Sequence, residues 1–169
     1  DELARAREVA VAAFGGDESI GSLLDALRAS WAWEDELAFG AERGGELVGH
    51  VLYTHALVDA PRKLVDVLVL SPLGVLPEHQ GTGVGSALVR ESLARLRGRP
   101  EPAVFLEGDP AFYSRLGFLP AGALGFTRPS VRIPEAGFQA VLLPAHEPWM
   151  TGALVYPDAF WRNNAVGLR

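Results

Sequence analysis

At 169 residues and 18.1 kDa, the chain is long enough to bury a substantial core and has the size of one domain, 1–169. Hydrophobic residues make up 49% and charged residues 21%, which excludes a disordered chain, and no apolar run reaches the ~20 residues that cross a bilayer as a helix. Fifteen basic against 21 acidic side chains leave a net charge of −6, which speaks against nucleic acid as a partner, and zero cysteines exclude a disulfide framework, a thiolate metal site and a cysteine nucleophile. These features fit a cytoplasmic protein with no membrane partner and a neutral or cationic small ligand. The sequence begins at Asp1, without a Met.

Glu2 to Phe14 places Leu3, Ala6, Ala10, Ala13 and Phe14 on one helical stripe. Asp17 offers an N-cap to a second helix, in which Ile20, Leu23, Leu24 and Leu27 follow amphipathic spacing. Leu37 to Glu42 and Glu46 to Val58 read as strands joined by Gly44-Gly45, a dipeptide suited to the positive φ angles of a tight hairpin. Leu64 to Val75 is apolar at nearly every position, as in a strand buried on both faces, and Pro72 should interrupt its ladder. Gly83 to about Arg97 is helical and ends at Gly98 and Pro100. Ala103 to Leu106 is a short strand, Pro110 to Leu116 a short helix stopped by Gly117, and Phe138 to Leu143 and Ala153 to Tyr156 are later strands. Helices and strands mixed in this order predict an α+β domain with a partly parallel centre.

The most informative stretch is Pro77-Glu78-His79-Gln80-Gly81-Thr82-Gly83-Val84-Gly85-Ser86-Ala87-Leu88, where a buried strand feeds a glycine-rich turn that opens into a helix. The first amides of a helix have no internal partner and the dipole adds positive potential, so this junction is a physical anion site. No Gly-Lys-Ser/Thr follows, which excludes a Walker loop, and Gly85 comes one residue early for a dinucleotide fingerprint. Glycines placed there only for close packing are the plain alternative.

Gln80-x-x-Gly83-x-Gly85, after a strand and at a helix start, resembles the pyrophosphate-binding motif of the GNAT superfamily of N-acetyltransferases. Ala111-Phe112-Tyr113-Ser114-Arg115-Leu116-Gly117-Phe118 resembles that family's Phe/Leu-Tyr-x-x-x-Gly-Phe segment, in the expected order and distance. Leu154 to Phe160 resembles the ending of one largely uncharacterised branch. The resemblance runs from about Glu2 to Phe160 and implies a GNAT-like fold. That fold has a mixed, mostly antiparallel sheet with a splayed parallel pair and helices on both faces. The family usually places a strand before its first helix. Here the chain opens in the helix, so that strand is expected to be absent from this sequence or its place filled otherwise.

The resemblance implies acetyl-CoA as co-substrate, no metal, and direct attack by an amine in a ternary complex. It assigns Leu73, Val75 and Leu76 to backbone contacts with the pantetheine arm, with an amide near Val75 as oxyanion donor. It assigns Gln80, Gly81, Thr82, Gly83, Val84, Gly85 and Ser86 to the pyrophosphate, and adds Asp109 to the cofactor side. Tyr113 is the implied general acid, since a phenol of pKa ~10 is protonated at neutral pH and can donate to the departing thiolate. Glu107 is a candidate base, as are His50 and His55; for each a structural role is the competing reading. His79 and His146 read as loop residues. Trp31, Trp33 and Glu34 could hold an ammonium-bearing small-molecule or peptide acceptor, the competing reading being half-buried tryptophans beside a solvated acidic run. A homodimer is compatible with these features. A non-catalytic CoA-binding module and another kind of nucleotide-binding domain are the rival functions.

Overall fold

A computed structural model describes residues 1–167. Helix α1 (Glu2–Ala13) is capped by Asp1, whose carboxylate accepts from the Leu3 amide at 3.2 Å. It buries Ala6, Val9, Ala10 and Val11, whereas Phe14 is 47% exposed. Phe14 falls off the expected stripe because it is the C-cap, with φ −104° and ψ 32°, and no longer follows the helical rotation. Helix α2 (Glu18–Arg28) starts as expected at Asp17, which accepts from the Ser19 amide at 2.9 Å, and it buries Leu23, Leu24 and Leu27. Arg7 ties the two helices together. Its guanidinium lies over Gly21 and donates to Asp25 at 3.1 Å and Glu18 at 3.0 Å.

Strands β1 (Ala38–Arg43) and β2 (Glu46–Asp59) form the expected antiparallel hairpin, with Gly44 at φ 61° and Gly45 at φ 83°. Positive φ at both central residues gives the turn whose twist matches the strands. A 3-10 turn at Asp35–Leu37, closed by Leu37 N to Glu34 O at 3.0 Å, starts β1 one residue later than the pattern suggests. Then follow β3 (Leu64–Val75), α3 (Val84–Leu96), β4 (Ala103–Glu107), α4 (Pro110–Tyr113), β5 (Leu119–Pro120), β6 (Phe126–Thr127), β7 (Phe138–Leu142), β8 (Gly152–Val155) and α5 (Asp158–Arg162). β5, β6 and α5 were not foreseen: elements of two to five residues are too short to carry a hydrophobic period.

The sheet has eight strands in the order β5-β7-β4-β3-β2-β8-β6, with β1 paired to β2. β3 with β4 and β6 with β8 are parallel; the other described ladders are antiparallel. Among the described residues the β3–β4 ladder comprises Leu68 opposite Val104 and Val69 opposite Phe105, while β3 itself runs on to Val75. β3 runs on through Pro72, while its described ladder with β4 has already ended before that residue.

The residues group into two compact units, 1–54 with 70–95, and 55–69 with 96 onward, so β2 and β3 each contribute to both. In the first unit, helices cover both faces of β2. Gly49 meets Val84 and Leu88 of α3, while His50, on the opposite face, lines a cleft with Leu3 and Ala6 of α1. Val9, Val48 and Leu76 form a buried cluster there, and the Tyr53 hydroxyl lies 2.6 Å from Ser92 Oγ of α3. In the second unit, Phe105 stacks on Phe138 at 5.9 Å and meets Phe126 edge-on at 4.7 Å.

Gly74 of β3 leaves room for α1: a Cβ there would stand 3.0 Å from Ala13 Cβ and 3.2 Å from Ala10 Cα. Gly98, by contrast, has open space around it. Gly74→Val should therefore lower unfolding stability by about 1–3 kcal/mol through overpacking, while Gly98→Ala stays within about 0.5 kcal/mol of the parent, both read by urea denaturation.

Candidate active site

In the first unit, β3 ends in a tightly braced turn. The Leu76 amide donates to Val48 O at 2.8 Å and its carbonyl accepts from the His79 amide at 2.8 Å. Both main-chain groups of Leu76 thus have a partner within the protein, and its carbonyl keeps a second lone pair. Leu73 and Val75 have half-buried side chains. Gln80 is also a strut: its amide donates to Pro77 O at 3.3 Å, and its side-chain Nε2 to Val75 O at 2.9 Å and Ala13 O at 3.4 Å. It ties the turn to β3 and α1. The Thr82 hydroxyl closes the turn on His79 O at 2.6 Å.

Gly81 and Gly83 have φ of 71° and 90°, and nothing lies within 4 Å of where their Cβ atoms would be. Side chains would be strained there and would crowd a ligand approaching the backbone. Ala87 N donates to Gly83 O at 3.0 Å, closing the first helical turn of α3. The amides of Val84, Gly85 and Ser86 precede that turn and have no acceptor inside the helix. Gly81 to Ser86 therefore form an exposed to half-exposed cradle at the positive end of a 13-residue helix.

Trp31 is 55% exposed, and the Trp33 indole donates to Asp35 at 2.7 Å. Glu34 begins the 3-10 turn. His50 is 5% exposed and lines a cleft of about 270 Å³ with Leu3, Ala6, Phe39 and Leu47; its Nδ1 is buried and, among the described residues, has no hydrogen-bond partner. Burial pushes its pKa down to about 4. His79 Nδ1 lies 3.4 Å from Arg43 Nη1.

The second unit holds Glu107, Asp109 and Tyr113. Asp109 caps α4 by accepting from the Ala111 amide at 2.9 Å, so its carboxylate has a local structural task that the cofactor assignment did not include. That cap and Pro110 start the helix that carries Tyr113. The phenol ring lies on Gly108, where a Cβ would stand 2.5 Å from Tyr113 Cε2. Phe112 at 4.8 Å and Phe118 at 5.7 Å meet the ring edge-on, and Gly117, at φ 96°, turns the chain to bring Phe118 back. Among the described residues the Tyr113 hydroxyl has no hydrogen-bond partner, and burial pushes its pKa up to about 12.

Glu107, at the end of β4, accepts from the Tyr156 hydroxyl at 2.7 Å and from the Gly167 amide at 2.8 Å. Burial raises its pKa, while Tyr156, Gly167 and Arg132 oppose that rise. His55 Nδ1 lies 3.8 Å from Glu101, which Arg99 clamps at 2.9 and 3.0 Å. The His146 imidazole meets Phe126 at 6.4 Å.

Residues 1–121 match the family model described as "Acetyltransferase (GNAT) domain", a span holding both motifs and the elements that carry them. The chain belongs to the GNAT acetyltransferase family. This GNAT protein is 36% identical over 130 residues to an uncharacterized N-acetyltransferase, YjhQ, of Escherichia coli, covering 76% of this chain and 71% of the relative. It is 37% identical over 109 residues to a mycothiol acetyltransferase of Streptomyces bingchenggensis, covering 61% of this chain but spanning only 33% of that protein. A crystal structure of a GNAT family acetyltransferase from Brucella melitensis in complex with acetyl-CoA superposes with TM-score 0.73 at 31% identity, covering 94% of this chain and 92% of that one. YhbS of Escherichia coli in complex with CoA superposes with TM-score 0.84 at 25% identity, covering 99% and 90%. Among the described residues no helix is long and apolar enough to cross a membrane.

Sequence reasoning on this GNAT domain missed Tyr156 and Gly167 as partners of Glu107. Tyr156 lay inside the quoted C-terminal segment, but nothing in its spacing pointed to a residue 49 positions earlier.

His50 predicts a pH dependence of stability. Its folded pKa of about 4 lies below the ordinary 6.5, so between those values the unfolded chain binds a proton that the folded chain refuses. Its contribution is fully present above pH ~6.5 and is lost as pH falls toward 4. At pH 4.5 this single group should remove on the order of 2–3 kcal/mol. Urea midpoints at pH 7 and 4.5 should fall less in His50→Gln than in the parent.

Proposed function

We propose that this acetyltransferase moves the acetyl group of acetyl-CoA to an amine of a small molecule or peptide, by direct attack in a ternary complex. The observation that carries the reading is the cradle at the head of α3, with Gly81 and Gly83 at positive φ. Its open glycines and outward amides fit a diphosphate, and the Brucella and Escherichia coli neighbours with acetyl-CoA and CoA support that ligand. When bound, acetyl-CoA supplies a thioester, an acyl group already activated toward an amine.

Val84, Gly85 and Ser86 hold the diphosphate through their amides, while Gln80 and Thr82 keep the turn in shape. Glu107 takes the amine's proton, directly or through water. Burial raises its pKa, which makes its carboxylate a stronger base than an exposed one. Tyr113 would donate from its hydroxyl to the departing sulfur. Its pKa of about 12 stands above the ~8.5 of an ordinary thiol. The phenol therefore acts mainly as a hydrogen-bond donor to developing negative charge, and complete transfer of its proton would be uphill. Trp31, Trp33 and Glu34 are proposed to meet the acceptor, and the mycothiol acetyltransferase relative supports a small-molecule one.

Tyr113→Phe should lower kcat about 10- to 100-fold while leaving the KM for acetyl-CoA within about twofold, measured by thiol release with an amine panel. Unchanged kcat would remove Tyr113 from the mechanism. Gly83→Ala should raise the KM for acetyl-CoA about tenfold, because an alanine at φ 90° strains the cradle. The thermal shift produced by CoA should shrink in parallel.

A further inference from the structure

The Glu107 carboxylate is held from two directions. Oε2 accepts from the Tyr156 hydroxyl at 2.7 Å and Oε1 from the Gly167 amide at 2.8 Å, which leaves each oxygen capacity for one more hydrogen bond. Tyr156 lies just past β8, is 5% exposed, and packs its ring against Phe160 at 5.0 Å and Trp161 at 6.3 Å. The phenol is therefore fixed by packing before it meets Glu107. The far side of the clasp is also braced: Arg132 lies 5.8 Å over the Trp161 ring, and its Nε donates to Val166 O at 3.4 Å.

We propose that Tyr156 is a positioning residue for acetyl transfer, its hydroxyl holding the Glu107 carboxylate ionised and aimed to receive the acceptor's proton. The inference rests on Glu107 being the base. The new N–C bond forms from the amine lone pair, the C–S bond breaks with its electron pair leaving on sulfur, and the amine proton goes to Glu107. Tyr156 keeps its own proton throughout, because burial and the adjacent carboxylate push its pKa well above the phenol range. Among the described residues, the titratable and charged groups acting on Glu107 are Tyr156 from the segment after β8 and Arg132 from the loop before β7. Both favour the carboxylate and oppose burial, which favours the acid.

A mere anchor for the C-terminal segment would not set the pH dependence of turnover, and that difference supplies the test. The pH profile of kcat/KM is measured with one acceptor amine, whose own titration is common to every variant. In Tyr156→Phe the acidic limb should move to higher pH, so that at a pH on that limb activity falls about three- to tenfold further than at the plateau. With 3-fluorotyrosine at position 156, a stronger donor of nearly the same size, the limb should move to lower pH. That protein carries the test should Tyr156→Phe fail to fold. Carboxyl-carbon NMR, with the Glu107 signal assigned by its loss in Glu107→Gln, should show the same two directions without any turnover. An inactive Glu107→Gln together with an unmoved limb in the Tyr156 variants would overturn this inference alone. Full activity in Glu107→Gln would overturn the base assignment and, with it, the role of Tyr156.

Discussion

Helix amides that find no partner inside their own helix are the constraint on which the first unit depends. α3 needs something to satisfy Val84, Gly85 and Ser86, and the turn before it is built to leave them accessible. A longer side chain at Gly81 or Gly83 would oppose the left-handed backbone there. Gln80 holds the turn against β3 and α1, and Thr82 closes it on His79. Behind the turn, Gly49 admits α3 and Gly74 admits α1, so the same residue type that opens the cradle also sets the packing that supports it.

The second unit uses two phenols in opposite ways. Tyr113 rests on Gly108 and between Phe112 and Phe118, a setting that fixes the ring and, among the described residues, leaves the hydroxyl without a partner. Desolvation alone accounts for its raised pKa. Tyr156 is buried too, but its hydroxyl is committed to Glu107 at 2.7 Å. An unpartnered hydroxyl can serve a transient charge, whereas a committed one tunes a permanent neighbour.

Much of the fold was legible because its signals are local. Asp17 before an amphipathic run, Gly44-Gly45 between strands, and Gly117 after a short helix each act through the backbone of a few residues. The cradle was legible for the same reason. Phe14 was misplaced because periodicity does not report where a helix stops rotating. Leu76, Gln80 and Asp109 were read as ligand contacts, and the structure adds protein partners for each: Val48 and His79, Val75 and Ala13, and Ala111. A motif names residue types at a spacing; it does not say which of their donors the protein has already used.

By itself the sequence determined the order of the main helices and strands, the glycine turn at the head of α3 and the helix bearing Tyr113, because φ preference, capping and hydrophobic period act between near neighbours. Only the tertiary structure decided that Glu107 would meet Tyr156 and Gly167, that His50 would be buried beneath α1, and that Gly108 would receive the Tyr113 ring. Apart from that short-range ring contact, these pairings join residues far apart in the chain. Burial and the pKa shifts it causes depend on what is packed around a group, which no stretch of sequence carries alone.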